Sequence, residues 1–494
     1  MESSKRCTDV LIVGGGVAGS SIARELSRYS IRTLLVEKRE DLARGASGAN
    51  SGIVHAGYDP KPGSLMAKYN VKGCAMYPQL SRDLEFPYRP VGSLVIAFDE
   101  KGMETVRELY ERGLENGVPD MEIITGDQAR RMEPELSDAV VGALYAKSAG
   151  IISPYEATIA FAENAAVNGV EFLLEEPVYS IEKIKAGTEE EAFVVKTDHY
   201  EIEAKVVINA AGAGAGLVSS MAGAEKIEIS ERKGEYTLYD RNLGGFVSTV
   251  IFQTPDEAGK GVLVTPTAEG NLLLGPSSDP IEEGEETATA TTQEGQDKIF
   301  KMGRKSTPNL PFGGAITGFA GIRAVFGSDF YIKPSDMVPG LIQVAGICSP
   351  GLTSAPAIAE DVAQMAVQLL KERGVDASLK ENWISKRKGI PSVREMSWEE
   401  RNALCQEDPS FGQIVCRCET VTEGQIRMAL RSPIPVYTID GVKRRCRAGM
   451  GRCQGSFCSP VVMRLISEAA GIPFDQVRKA GKGTEIGQGK LKEI

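Results

Sequence analysis

The sequence predicts an α/β protein built from a Rossmann-type nucleotide-binding domain, an inserted α+β substrate domain with an antiparallel sheet, and a small helical C-terminal module. Three observations predict it. A glycine-rich turn joins an apolar strand to an alanine-rich helix near residue 14. Two long segments of strand-like alternation interrupt the α/β pattern. Five cysteines crowd between 416 and 458. A chain of 494 residues exceeds what one core serves, so two or three domains are expected.

The elements follow in order. Residues Asp9 to Val13 read as a buried strand, Gly14-Gly15-Gly16 as a turn, and the next stretch as a helix through about Arg28. Residues Thr33 to Val36 form the second strand, ending at Glu37. A helix from Thr158 to Asn168 leads into a strand at 170–173. Further strands are expected at Lys205 to Asn209 and Leu341 to Ala345, with a helix from about Ala357 to Arg373. Segments 86–150 and 222–320 are richer in Thr, Val and Gly at strand spacing, and read as one antiparallel substrate domain made of two insertions. The acidic stretch Glu282 to Glu294 reads as a solvated loop. Residues 381–412 read as a covering connector, 413–470 as the cysteine module, and 471–494 as a Gly/Lys-rich tail. Residues 479–494 are expected to settle only on a partner. The nucleotide-binding domain then takes 1–85, 151–221 and 321–380.

The bulk numbers exclude some classes. Hydrophobic residues make up 42%, charged residues 25%, and the net charge is −11, which argues against a nucleic-acid surface. No secretory signal and no apolar run long enough to span a bilayer is apparent. Nine cysteines without a secretory signal point to a reducing compartment, where clustered cysteines more often hold metal than form disulfides. A cytoplasmic location is expected, at the membrane periphery through a partner.

Gly14-x-Gly16-x-x-Gly19 carries the first chemistry. The first glycine permits the tight turn, the second lets backbone approach a pyrophosphate, and the third lets helix and strand pack closely. The helix N-terminus faces the phosphates. Glu37, 18 residues past Gly19, can accept hydrogen bonds from an adenosine ribose. The fingerprint leaves FAD and NAD open. The small-residue segment 44–52 can wrap a second phosphate or a flavin ring, and 346–359 repeats that logic.

Four cysteines carry the second chemistry. Cys416-x-Cys418 and Cys453-x4-Cys458 are separated by 34 residues. Such a thiolate set suits zinc or a [2Fe–2S] cluster. Cys-x-Cys is unusual for zinc and favours the cluster. Arg444, Arg445, Arg447 and Arg452 would bring positive charge to an anionic cluster, and Gly449, Gly451 and Gly455 would let backbone N–H groups approach sulfur. Cys446, a fifth thiol, reads as a packing residue.

Residues 8–375 resemble the D-amino-acid-oxidase-like flavoproteins, and more narrowly their glycerol-3-phosphate dehydrogenase and 2-hydroxyglutarate oxidase branch. The resemblance rests on the glycine fingerprint, Glu37, the run Asn50 to Gly57, Asn209 to Gly212, Lys233 to Tyr236 and Gly321-Ile322-Arg323. Cys416 to Glu419 and Arg447 to Gly455 resemble the bacterioferritin-associated-ferredoxin-like module fused to anaerobic-type glycerol-3-phosphate dehydrogenase A subunits and to amine- and opine-oxidising relatives.

The resemblance implies non-covalent FAD, held by Gly14, Gly16, Gly19, Glu37, Lys38, Ser47, Asn50, Ser51, Gly52, Val178, Ala211, Gly212, Gly346, Gly351, Leu352 and Thr353. It also implies a [2Fe–2S] cluster on Cys416, Cys418, Cys453 and Cys458. Of the two histidines, His199 reads as solvated. His55 suits the base that takes a hydroxyl proton while hydride leaves for the flavin. Arg323 is the expected anion-binding and catalytic guanidinium, with Lys68, Lys233 and Tyr236 as further substrate contacts. The expected reaction is oxidation of glycerol 3-phosphate. Electrons would pass through the cluster to a second redox subunit, flavoprotein or quinone-linked, in a hetero-oligomer. The alternatives are a 2-hydroxy acid or a secondary amine as substrate, or an electron-transfer subunit with no substrate of its own.

Overall fold

The computed structural model describes residues 4–188, 191–254, 261–281 and 289–487. Its first strand, Ser4–Val13, is exposed at the start and fully buried from Thr8 on. That apolar end sits in the middle of a parallel sheet. The order across it is Leu341–Ala345, Tyr200–Asn209, Ser4–Val13, Thr33–Glu37 and Glu171–Leu174, every neighbouring pair parallel. Strands Ser180–Ile184, Ala192–Lys196 and Tyr331–Pro334 extend it antiparallel, giving eight strands among the described residues. Helices Val17–Leu26, Pro154–Val167 and Gly351–Glu372 pack on one face and bury Ile22, Leu26, Ile159, Ile358 and Val362 against Val10, Ile12 and Leu35. The last helix begins six residues earlier than the expected Ala357, because Gly351 to Pro356 continue its turns into the turn that follows Ala345.

A second sheet of nine strands, among the described residues, draws on both insertions: Ser93–Ala97, Met121–Thr125 and Gly142–Ala146 from the first, and strands between Ser230 and Val325 from the second. It departs from the expected antiparallel pattern at one seam, where Val250–Gln253 runs parallel to Ser93–Ala97 and joins the two insertions. Strand Ala315–Val325 pairs with Ser230–Tyr239 along its length, so the sheet continues across position 321.

The acidic stretch is described only from residue 289. There Thr292 caps helix Gln293–Ser306, so Glu294 is helical rather than in a loop, and 282–288 lie outside the described residues. The tail also differs from expectation. Val477 is buried, Arg478 forms a two-bonded ion pair with Glu175, and Lys479 pairs with Asp440 at 2.7 Å while its carbonyl accepts the Asp440 N–H, so the start of 479–494 docks on the chain's own surface without a partner; 488–494 lie outside the described residues. In the connector, the Trp383 indole donates to Ser27 and stacks under Arg24 and Arg28. The cysteine module packs helices Glu423–Leu430, Ile439–Cys446 and Ser459–Ala470 around Ile426, Val442, Val462 and Ile466. No helix among the described residues is long and apolar enough to cross a membrane.

Candidate active site and cysteine centre

The glycine turn has the steric character its spacing requires. Gly14 takes φ +114°, and a Cβ there would lie 2.5 Å from the Ala210 carbonyl oxygen. A Cβ on Gly19 would lie 2.0 Å from the Gly14 carbonyl oxygen, which fixes the close approach of helix to turn. Gly16 caps the helix without a side chain, and the Val17 N–H behind it donates to Ser47 Oγ at 2.8 Å. Glu37 closes the second strand and accepts the Gly15 and Arg39 N–H groups at 2.7 and 2.8 Å. Burial pushes its carboxyl above the usual range. This backbone-lined cradle fits a dinucleotide pyrophosphate with an acidic residue at the ribose end.

Beyond the turn a cavity of about 440 Å³ opens between the two sheets. Ser47, Asn50, Ser51 and His55 line one wall, Gly351 and Leu352 another, and Tyr236 and Arg323 the face of the nine-stranded sheet. Asn50 folds its own segment: its amide donates to Ala46 and Ser47 and its carbonyl oxygen accepts from Gly52. Thr353 Oγ1 accepts the His55 N–H at 2.9 Å and donates to Ile53, tying the histidine loop to the last helix. The His55 ring lies 5.7 Å from that of Phe252, and its Nε2 is 3.4 Å from Ser349 Oγ. Tyr236 stacks on Phe319, and Ser51 reaches its hydroxyl at 3.5 Å. Arg323 donates from Nη2 to the Ser277 carbonyl at 2.5 Å, while its buried Nε has no hydrogen-bond partner. No carboxylate among the described residues pairs with it. A buried donor without an acceptor suits an anionic ligand.

Other expected residues lie elsewhere. Lys68 reaches outward to Asp361 at 2.6 Å, and Lys233 turns to Glu235 at 3.2 Å; neither lines the cavity. Each ammonium already has a carboxylate, so neither offers an unmatched charge to substrate. Val178 packs half-buried with the Ile181–Phe193 side of the parallel sheet, and Lys38 is exposed beside the Glu37 end. Ala211 and Gly212 follow the strand that contacts Gly14, and Gly346 turns the chain below Phe326. His199 is not merely solvated: its Nδ1 lies 2.6 Å from a Glu176 oxygen. The cavity also takes Phe252, Gln253, Ser277 and Arg112, which no motif marked. The short apolar run Val250 to Phe252 marks a buried strand but not a cavity wall.

In the module, Cys416 Sγ and Cys418 Sγ are 3.8 Å apart, as are Cys418 Sγ and Cys453 Sγ. Cys458 Sγ lies 4.0 Å from the Gly455 carbonyl oxygen. Among the described residues no three His, Cys, Asp or Glu side chains close on one point as ligands of a single ion. Three of the sulfurs instead form a chain of contacts, Cys416 to Cys418 to Cys453. The Cys458 thiol, with N–H groups of Gly449 and Glu419, brings Cys416 down to about 6. N–H groups of Phe457 and Gly455 hold Cys453 low against the effect of burial. Burial and Cys416 push Cys418 up to about 12. A Cβ on Gly451 would lie 2.5 Å from Cys418 Sγ. Four thiols, two of them poised toward thiolate, in a glycine-lined cradle fit an iron–sulfur cluster. Cys446 stands apart, buried, its thiol donating to the Val442 carbonyl.

The arginines near the module do not surround the sulfurs with loose positive charge. Arg444 and Arg445 converge on buried Asp41 at 2.7 and 3.0 Å, and Arg452 pairs with Asp240. Arg447 bonds Glu419 at 3.0 Å and lies 3.4 Å from Glu269. They tie the module to both other regions.

The family model described as FAD dependent oxidoreductase matches residues 9–365, and that of the BFD-like [2Fe-2S] binding domain matches 414–468. The chain is 46% identical to a glycerol 3-phosphate dehydrogenase of Caloramator mitchellensis over 98% of its own length and 99% of the relative's. It is 33% identical to a glycerol 3-phosphate oxidase of Mycoplasma pneumoniae over 76% of this chain and 97% of that one. A solved structure of L-alpha-glycerophosphate oxidase from Mycoplasma pneumoniae with FAD bound superposes with a TM-score of 0.72 at 32% identity, covering 80% of this chain and 100% of that one. The chain belongs to the FAD-dependent oxidoreductases and carries in addition a BFD-like [2Fe–2S] binding domain.

Proposed function

We propose that this enzyme oxidises glycerol 3-phosphate to dihydroxyacetone phosphate and passes the electrons through a [2Fe–2S] cluster to a second redox subunit. The observation that carries the substrate is the 46% identity to a glycerol 3-phosphate dehydrogenase along almost the whole chain. The cavity supports it: an unmatched arginine stands on the sheet face and an imidazole on the opposite wall. FAD, when bound along 14–19 and 46–52, supplies a two-electron acceptor. His55 takes the carbinol hydroxyl proton, with Ser349 beside Nε2. Arg323 holds the phosphate, and Tyr236 closes the cavity against Phe319. Cys416, Cys418, Cys453 and Cys458 hold the cluster.

The oxidase of Mycoplasma pneumoniae is matched over 97% of its length by only 76% of this chain. The additional module supports an exit for electrons other than oxygen. Phe457, 83% exposed between two of the cysteines, supports docking of a partner there; we further read the protein as cytoplasmic, at the membrane periphery only through that partner.

Anaerobic mixing tests the reading. Glycerol 3-phosphate should bleach the flavin band, 2-hydroxyglutarate and proline should not, and bleaching by none of them leaves an electron-transfer subunit. His55→Ala should slow bleaching by about 10²–10⁴-fold with FAD retained. Iron and acid-labile sulfide should each approach about two per chain.

A further inference from the structure

We propose that the contact between Tyr155 and Met450 is the crossing point for electrons between the flavin domain and the cysteine module. The proposal rests on the reading above that the cluster draws its electrons from the flavin. Each crossing moves one electron and no atom: the flavin loses one as the cluster gains one. The second follows once a one-electron oxidant has emptied the cluster.

The route begins in the cavity wall. Ser51 lines the cavity, and the carbonyl of the next residue, Gly52, accepts the Ile152 N–H at 2.7 Å. Gly52 has φ +66°, and a Cβ on it would lie 2.4 Å from the Ile152 carbonyl oxygen, so only glycine brings these backbones together. From Ile152 the path is covalent for three residues to Tyr155, at the start of helix Pro154–Val167. The Tyr155 hydroxyl lies 3.3 Å from Met450 Sδ. Met450 is bonded to Gly451, the residue pressed against Cys418 Sγ. The route thus has three non-covalent steps: a short hydrogen bond, a contact with a polarisable sulfur, and the close approach of Gly451 to Cys418.

A second branch ends on the same hydroxyl. Arg447 Nη1 donates to Tyr155 at 2.9 Å, and its Nε donates to Glu419, the residue after Cys418, at 3.0 Å. Tyr155 is therefore the node of both branches, while Met450 serves one. The hydroxyl also lies 3.2 Å from Glu269, and burial pushes its pKa well above the usual phenol value, so it stays protonated throughout. The Asp41 contacts to Arg444 and Arg445 hold the module from another side, at the end of the nucleotide cradle away from the cavity.

Stopped-flow spectroscopy of the holoenzyme separates the steps, with flavin bleaching and cluster reduction followed at their own wavelengths after substrate or after photoreduction without substrate. Tyr155→Phe keeps the ring and removes the node. It should slow cluster reduction about tenfold or more, the range seen when outer partners of a metal centre are lost. Met450→Leu should slow it several-fold, less than Tyr155→Phe. Flavin bleaching by substrate and the cluster's midpoint potential and EPR signal should not change. Wild-type cluster reduction at unchanged rate in both variants overturns the crossing point. A wild-type cluster that stays oxidised while the flavin is reduced overturns the underlying reading instead. Should Tyr155→Phe release the module, detected by limited proteolysis, the isosteric Met450→Leu decides: a several-fold slowing supports the route, and none overturns it.

Discussion

The cavity and the seat of the cysteine module use arginine in opposite ways. In the cavity, Arg323 has a buried Nε without a partner and no carboxylate beside it among the described residues. At the seat, four arginines meet carboxylates from elsewhere in the chain: Arg444 and Arg445 at Asp41, Arg447 at Glu269, Arg452 at Asp240. A half-buried guanidinium with a buried, unpartnered Nε is best satisfied when a ligand supplies its counter-ion, so it marks a binding site. A matched one fixes geometry, and removing its partner is what costs. The sign of a residue says nothing about which case applies; its partners do.

The comparison can be broken most sharply at Asp41. Asp41→Asn strands two buried guanidinium groups and should destabilise the module's seat by about 3–5 kcal/mol, read as an early transition in thermal unfolding. The same pair gives a pH test. Burial opposes the Asp41 charge, but Arg445 and Arg444 hold the carboxyl below its usual range. Its contribution is therefore complete above the ordinary carboxylate value and is lost as pH falls through the depressed one. Acid should loosen the module in the wild type and add no such step in Asp41→Asn. Arg323→Ala probes the other region. Loss of hydrogen bonds to a charged group, about 1.5–3 kcal/mol, should lower kcat/KM roughly ten- to hundredfold, mostly through KM, with module stability unchanged. The smallest effect belongs to Arg452→Ala. This side chain is 70% exposed at Asp240, and its loss should cost under about 1 kcal/mol in the same melt.

The parts legible in the sequence were those whose chemistry is local. Gly14 to Gly19 and Glu37 lie within one strand–turn–helix unit, and the cysteine pairs within two short loops. Spacing alone constrains such groups. Phe252, Gln253 and Ser277 were not legible, because only the pairing of distant strands brings them to the cavity. Lys68 was misread for the same reason: its partner Asp361 lies 293 residues away. Lys233 is different. Glu235 sits two positions on along one strand, hence on the same face, and the pairing was open to inspection. The arginines of the module were recognised as a group but assigned to the sulfurs, since sequence does not show which carboxylates face them.

The carboxylates that seat the module have a consequence for how the molecule comes into being. Glu40, Asp41, Glu163, Asp240 and Glu269 all precede the connector at 381–412. Asp41 itself hangs from the glycine turn, since the Ala43 N–H donates to the Gly15 carbonyl. A chain made from its N-terminus has therefore synthesised every socket before the plug emerges. The order of assembly is written into the order of residues: the nucleotide cradle is the foundation on which the sulfur module is set.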